Sequence, residues 1–347
     1  MALFDNMLQE NESLFSDWEI LDFDFLPPEV PYRENQTSYI AECIKPLARG
    51  ERGKALLVSG APGIGKTTSV KYVFSQLEEA TSEVRPVFVN CWKKQTTNNI
   101  LSDIARQVGV IGTQFKSNED LWEHIYKAIS RFKGIAIALD EIDQAKEYDF
   151  LYQLAENLKS FTLIMITNEK DFLSKIDRRI SSRLTPEELA FPPYKKWEIE
   201  GILDQRRKLA FMPGCWTSEA FELVVDKTAS RGDIRTGLIL MRESAREAER
   251  EASRVIKVNH VMACKASIID EKSTELDERE QSIIEIIKEK PGIESGELSR
   301  ELSGKGFETP DSTFRRVVGK LDKGSYIFRE QTSTKSGGKT MKHFIDE

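Results

Sequence analysis

The segment Gly60-Ala61-Pro62-Gly63-Ile64-Gly65-Lys66-Thr67 lies between a short apolar run, Ala55–Ser59, and a stretch with helical spacing over 66–79. The pattern G-x-x-x-x-G-K-[ST] between a strand and a helix fixes the local backbone closely. Its glycines let the chain fold back so that successive N–H groups point inward. The helix that follows adds the positive end of its dipole, and such a concavity suits phosphate. Lys66 is expected to reach the β- and γ-phosphates of a nucleotide and Thr67 to ligand Mg2+, with Thr68 completing the set.

Strand and helix signals alternate around this loop. Pro86–Cys91 reads as a strand, 97–108 and 119–132 as helices, and Gly134–Asp140 as a strand apolar on both faces. Residues 148–158 read as a helix, Phe161–Asn168 as another apolar strand, and Leu189–Phe191 as a short one. Doubly apolar strands separated by helices imply an α/β fold with a parallel sheet covered on both sides. A phosphate loop needs a carboxylate on a neighbouring strand to hold the metal. Asp140 ends such a strand, and its neighbour Glu141 is placed to take a proton from an attacking water. Asp143 reads as structural. Asn168 ends the next strand and can help to hold that water, although a turn residue would look the same.

With 347 residues, 39% of them hydrophobic, the chain is long enough for two or three cores. No apolar run approaches the roughly 18 residues of a membrane helix. No basic-then-apolar leader is visible. Cys43, Cys91, Cys215 and Cys264 stand singly, without a CxxC pair, and His124, His260 and His343 lie far apart. Zinc, redox and His-based triad chemistry are therefore not expected, and a cytoplasmic protein with reduced cysteines is. Residues 1–30 carry eight acids, no Lys or Arg, and five interleaved aromatics: Phe4, Phe15, Trp18, Phe23 and Phe25. This acidic segment is expected to pack its aromatics onto the first domain. Pro27, Pro28 and Pro31 then mark an extended stretch.

Pro192-Pro193 closes the nucleotide-binding unit, taken as 31–194. Residues 195–272 read as all-helical, with segments at 195–210, 217–229, 233–249 and 257–270. After the polar linker 271–275 a third unit spans 276–347. It shows helices at 276–290, 294–303 and 311–323, then strands Tyr326–Gln331 and Met341–Ile345 around a turn at Lys335–Lys339. Three helices and a hairpin make a winged helix, whose third helix fits a DNA major groove. Phe314, Val317, Val318 and Leu321 face inward by their spacing, leaving Ser312, Arg315, Arg316, Gly319, Lys320 and Lys323 outward. Residues 312–342 carry eight bases and two acids, a local charge of +6 in a chain of net charge −7. Ser312, Thr313, Arg315, Arg316, Lys320, Lys335 and Lys339 are the expected duplex contacts, dominated by phosphate neutralisation. Arg315 or Arg316 could read guanine edges. The same module can also bind protein.

The order of the glycine loop, Leu139-Asp140-Glu141-Ile142-Asp143 and Ile166-Thr167-Asn168 resembles AAA+ ATPases. Ile176–Tyr194, Pro31–Gln36 and Gly232-Asp233-Ile234-Arg235 are similar to the origin-recognition/cell-division-control initiators, the archaeal ones above all. The resemblance covers roughly residues 25–345. It implies an AAA+ base, a helical lid and the winged helix. It also implies that Arg183 is an arginine finger offered to a neighbour's ATP, with Arg179 as second candidate. Arg235 is the lid arginine that touches nucleotide in cis. Tyr32 and Arg33 would lie beside the adenine, and Tyr194 joins the same nucleotide set. The helix near 97–109, with Lys93 and Lys94, would approach DNA.

The function implied is a slow, switch-like ATPase. It would use ATP/ADP and Mg2+ to regulate binding of double-stranded origin DNA and recruitment of the replicative MCM helicase, with other initiator subunits as further partners. A clamp-loader-like AAA+ subunit and a nucleotide-sensing DNA-binding regulator are the alternatives.

Overall fold

The structure is a computed structural model. It describes residues 13–113, 116–169, 171–264, 278–305, 307, 311–323, 327–333 and 339–345. The chain forms two compact units, Met1–Cys264 and Lys265–Glu347.

The first unit is built on a parallel sheet of five strands: β1 (Ala55–Ser59), β2 (Val84–Asn90), β3 (Gly134–Asp140), β4 (Phe161–Thr167) and β5 (Glu187–Ala190). Their spatial order is β2-β3-β4-β1-β5. β3 and β4 lie in the middle and every residue in them is buried. Their unbroken apolar runs therefore reflect helices on both faces. β2 begins at Val84, two residues before the position suggested by Pro86. Proline lacks a ladder donor, and it is accommodated here because β2 is an edge strand. β5 likewise starts earlier than Leu189.

The covering helices are α1 (Glu34–Ile44), α2 (Lys66–Ala80), α3 (Thr97–Gln107), α4 (Asn118–Ile129), α5 (Asp149–Asn157), α6 (Phe172–Lys175) and α7 (Arg178–Leu184). α1 has no counterpart in the sequence expectations. It begins just after Pro31 and buries Ile40, Cys43 and Ile44 against the β1 side of the sheet, beside Val70 and Phe74 of α2. α3 and α4 start at Thr96 and Ser117 caps, and Ser117 forms a capping box with Asp120.

The register explains why the site forms where it does. Ser59 of β1 pairs with Thr167 of β4, and Asn90 of β2 pairs with Asp140 of β3. The carboxyl ends of four strands thus finish nearly level. In open parallel sheets ligands bind beyond such an edge.

Four lid helices follow in the same unit: α8 (Lys196–Ala210), α9 (Ser218–Arg231), α10 (Ile234–Arg250) and α11 (Val258–Ala263). The described part of the acidic N-terminal segment packs mainly onto this lid, and Asp24 pairs with Lys71 of α2 at 3.4 Å. Phe15 stacks on Phe211 at 5.1 Å between centroids, and Phe25 lies under the Arg206 guanidinium at 4.7 Å. The attraction is between ring faces and lid cations, which hydrophobic pattern alone does not reveal. Phe4 lies outside the described residues.

The second unit contains α12 (Glu278–Glu289), β6 (Ile293–Glu294), α13 (Ser295–Gly304), α14 (Asp311–Lys323), β7 (Ile327–Ser333) and β8 (Lys339–Ile345). β7 and β8 form an antiparallel hairpin, and β6 adds a short third strand against β8. Three helices with this hairpin have the order of a winged helix. Ile283, Ile287, Leu298, Phe314, Val318 and Leu321 make its core.

Candidate functional site

The level strand ends, α2 and the start of α10 enclose a cavity of about 490 Å3. On the sheet side the loop after β1 turns into α2 through two glycines in the left-handed region. Gly63 has φ of 69° and Gly65 has φ of 89°. A Cβ on Gly63 would lie 1.7 Å from an Asp233 carboxylate oxygen, and one on Gly65 would lie 2.6 Å from the Tyr194 hydroxyl. The loop is therefore packed against both the lid and the strand-to-lid connection, and only glycine fits.

Lys66 is 6% exposed, and its ammonium donates to the carbonyls of Gly60 (2.8 Å) and Ala61 (2.7 Å) and to Asn168 Oδ1 (2.8 Å). The Thr67 hydroxyl donates to Asp140 Oδ1 at 3.0 Å. Asp140 is 5% exposed. Burial pushes its carboxyl up to about 6, against the pull of the Thr67 hydrogen bond. Burial likewise pushes Lys66 down to about 8. Both shifts disfavour the charged forms and have burial as their largest cause, so a phosphate near Lys66 or a metal near Asp140 would favour the charged forms again. A hydroxyl and a carboxylate side by side are hard oxygen donors of the kind Mg2+ takes.

Glu141 follows Asp140 with φ of 53°, a left-handed conformation that costs a non-glycine residue energy. Its carboxylate accepts from the Asn90 amide at 3.3 Å. Asn90 was not among the expected site residues. The available signal was its register beside Asp140, which requires knowing the strand order. Asp143 accepts from Thr167 Oγ1 at 2.7 Å and so braces the end of β4, in keeping with a structural role.

Not every expected residue faces the cavity. Pro62, Gly63, Gly65, Lys66, Thr67, Thr68, Tyr194 and Arg235 line it. Gly60 and Ala61 contribute the carbonyls that hold Lys66. Ile64 turns its side chain into the core. Tyr32 and Arg33, expected beside the adenine, do not line the cavity. Arg33 is 2% exposed and donates to the carbonyls of Ile64 (3.1 Å) and Pro192 (2.7 Å). Its guanidinium lies 3.8 Å from the Tyr194 ring centroid. A saturated, stacked cation of this kind is a clasp between loop and connection, because its donors are already spent on carbonyls. Tyr32 meets Trp197 edge-on at 5.0 Å and packs over Gly201 of α8. The lining instead includes Leu26, Pro27, Val30 and Pro31 before α1 and Ile202, Gln205 and Leu238 of the lid.

Arg235 lies on the cavity wall, with its guanidinium 5.9 Å from the Phe23 ring. The Ile234 N–H donates to the Gly63 carbonyl at 3.2 Å, tying the start of α10 to the phosphate loop. Arg183 is elsewhere. It borders a second cavity of about 340 Å3 with Arg52, Lys54, Ala55 and Glu187, at the start of β1, whereas the loop lies at its end. Arg183 is exposed and makes no hydrogen bond or ion pair among the described residues. Arg179 pairs with Asp177 at 2.9 Å. Lys93, Lys94 and Arg106 line the cavity near Asn90 and Glu141.

In the second unit Arg315 and Arg316 are exposed on α14, opposite the buried Phe314, Val317 and Val318, and Thr313 is half-buried. Ser312 and Lys320 lie on α14 and Lys339 on β8, with their side chains outside the described part. Lys335 lies outside the described residues. Among the described residues no helix is long and apolar enough to cross a membrane.

A family profile described as AAA domain matches residues 49–176, and one described as Cdc6 AAA+ ATPase-type lid domain matches residues 200–266. The ORC1-type DNA replication protein 1 of Archaeoglobus fulgidus is 34% identical over 278 residues, 75% of this chain and 67% of that protein. The chain belongs to the ORC1-type family of DNA replication proteins. It is accordingly an AAA+ ATPase with a Cdc6-type lid, a replication initiator by family rather than a clamp loader. ORC1-type likeness extends through the second unit: the ORC1-type DNA replication protein 2 of Methanosarcina mazei is 29% identical over 96% of this chain and 94% of its own length. The structure of the Aeropyrum pernix ORC1 protein in complex with DNA superimposes with a TM-score of 0.81 at 29% identity, covering 96% of this chain and 94% of that one.

Proposed function

We propose that this ORC1-type ATPase binds duplex origin DNA through α14 and the β7–β8 hairpin. Nucleotide state, sensed at the glycine loop, would regulate that binding and the recruitment of the replicative MCM helicase. Other initiator subunits are further partners in this reading. The observation that carries it is the convergence of Lys66, the Thr67–Asp140 pair, Asn168 and the lid's Arg235 on one cavity. Sheet and lid both contribute, so a triphosphate there would couple the angle of the lid to what is bound.

In this reading Lys66 leaves the carbonyls of Gly60 and Ala61 for the β/γ-phosphates. Thr67 and Asp140 would hold Mg2+, which would supply neutralisation of phosphate charge. Glu141, released from Asn90, accepts a proton from the attacking water at its carboxylate, and Asn168 fixes that water. Arg235 touches the nucleotide in cis. Arg183 cannot serve its own site from the far end of β1 and acts, if a second chain docks, on that chain's γ-phosphate. Likeness to a relative solved with DNA, together with exposed Arg315 and Arg316, supports the duplex contact.

The test is a gel shift with duplex origin DNA in ATP and in ADP, for wild type and Glu141→Gln. The reading expects affinity to depend on the nucleotide and the variant to stay in its ATP-like behaviour. Identical binding with ATP, with ADP and without nucleotide would overturn the regulatory part.

A further inference from the structure

Resting on the nucleotide reading above, the geometry points to Gln205 as the residue by which this ATPase selects adenine over guanine. In that reading Lys66 and Thr67 mark the phosphate part of the cavity, and an apolar part of the lining remains for a base. That part comprises Leu26 and Val30 of the N-terminal segment and Ile202 and Leu238 of the lid. Ile202, Gln205 and Arg206 share one face of α8, three and four residues apart. Arg206 is not available to read a base: it is 7% exposed and donates to the carbonyls of Ile20 (2.9 Å) and Phe25 (3.3 Å). Gln205 lines the same wall, is half-buried, and makes no hydrogen bond among the described residues.

The Gln205 carboxamide is therefore free to pair with a ligand in the cavity. Its two functions, one donor and one acceptor, match adenine's N6 amine and an adjacent ring nitrogen. On the N6/N7 edge adenine offers a donor beside an acceptor whereas guanine offers two acceptors, O6 and N7, so the amide makes both bonds only to adenine. The N-terminal wall favours the same base. Residues 27, 28 and 31 are prolines without an N–H, and no hydrogen bond of the described residues uses the carbonyls of residues 26–31. That wall is short of donors and has carbonyls to offer to an amine.

Full-length wild-type and Gln205→Leu protein would be titrated calorimetrically with ATP, GTP and ITP, the last lacking the N6 amine. Wild type should bind ATP at least about tenfold more tightly than GTP or ITP. Gln205→Leu should lose about tenfold toward ATP and little toward GTP, so that the preference collapses. Gln205→Met, similar in length but without the amide's donor and acceptor, should lower the ATP-to-GTP ratio as well and serves if the leucine variant does not fold. An unchanged ratio in a folded variant, or ITP binding as tightly as ATP to wild type, overturns the proposal. Failure of wild type to bind any nucleotide would instead remove the reading on which it rests.

Discussion

The ammonium of Lys66 donates to Asn168 Oδ1 at 2.8 Å, joining the start of α2 to the end of β4. Two residues 102 positions apart meet because Ser59 and Thr167 are paired in adjacent parallel strands. Asn168→Ala removes one of three acceptors from a buried cation and the group proposed to fix the attacking water. Turnover is expected to fall by about a hundredfold while ATP affinity changes much less. Single-turnover hydrolysis beside equilibrium binding separates the two.

Proton linkage follows from the opposed shifts at the site. Lys66 is held down to about 8 by burial, so above that pH it is largely neutral before ligand arrives. Phosphates favour its charged form, and nucleotide binding at pH 8.5 should take up a proton. Asp140 is held up to about 6 by burial, and a metal favours its carboxylate. Binding of Mg2+-nucleotide near pH 5.5 should therefore release a proton and weaken as pH falls further. Calorimetry in buffers of different ionisation enthalpy reads both signs. Lys66→Arg should abolish the uptake at pH 8.5, since a guanidinium does not titrate there.

Arg33 is expected to matter for stability rather than for base recognition. Arg33→Ala leaves the carbonyls of Ile64 and Pro192 unpaired and removes a cation stacked on Tyr194. A loss of about 3 kcal/mol in the urea-unfolding free energy is expected. Arg33→Lys should rescue little, because an ammonium cannot span both carbonyls with a planar fork.

Arg183 is exposed and lies at the opposite end of β1 from the phosphate loop. Arg183→Ala should leave ATP affinity and unfolding free energy within about 0.5 kcal/mol of wild type. Its ATPase should lose only the component that rises with protein concentration. A loss of turnover at concentrations where the chain is monomeric would contradict action in trans.

Arg315 and Arg316 stand on the outward face of α14. Changing both to Ala should weaken duplex binding and flatten the log–log salt dependence by roughly 2, about 0.9 per phosphate contact. Unchanged affinity across a salt series would place the DNA contact elsewhere.

Much of this was legible in the chain because local rules act within a few residues. The glycine spacing, the doubly apolar runs at 134–140 and 161–167, and the helical spacing around Phe314 each report their own element. α1 was not legible because it follows closely on Pro27, Pro28 and Pro31 and its buried apolar positions Ile40, Cys43 and Ile44 are few. β6 escaped because two residues carry no periodicity.

The sequence by itself determined the phosphate loop, its carboxylate partner and the order of sheet, lid and three-helix module, since each depends on backbone propensity and on which side chains avoid water. Only the tertiary structure decided what Arg33, Asn90, Arg183 and Gln205 face. A polar side chain's role is set by the partners it meets, and those come from strand order and from how the N-terminal segment and the lid close over the sheet. Two arginines with the same chemistry thus end as a buried clasp and an exposed cation, because one finds two carbonyls within reach and the other finds none among the described residues.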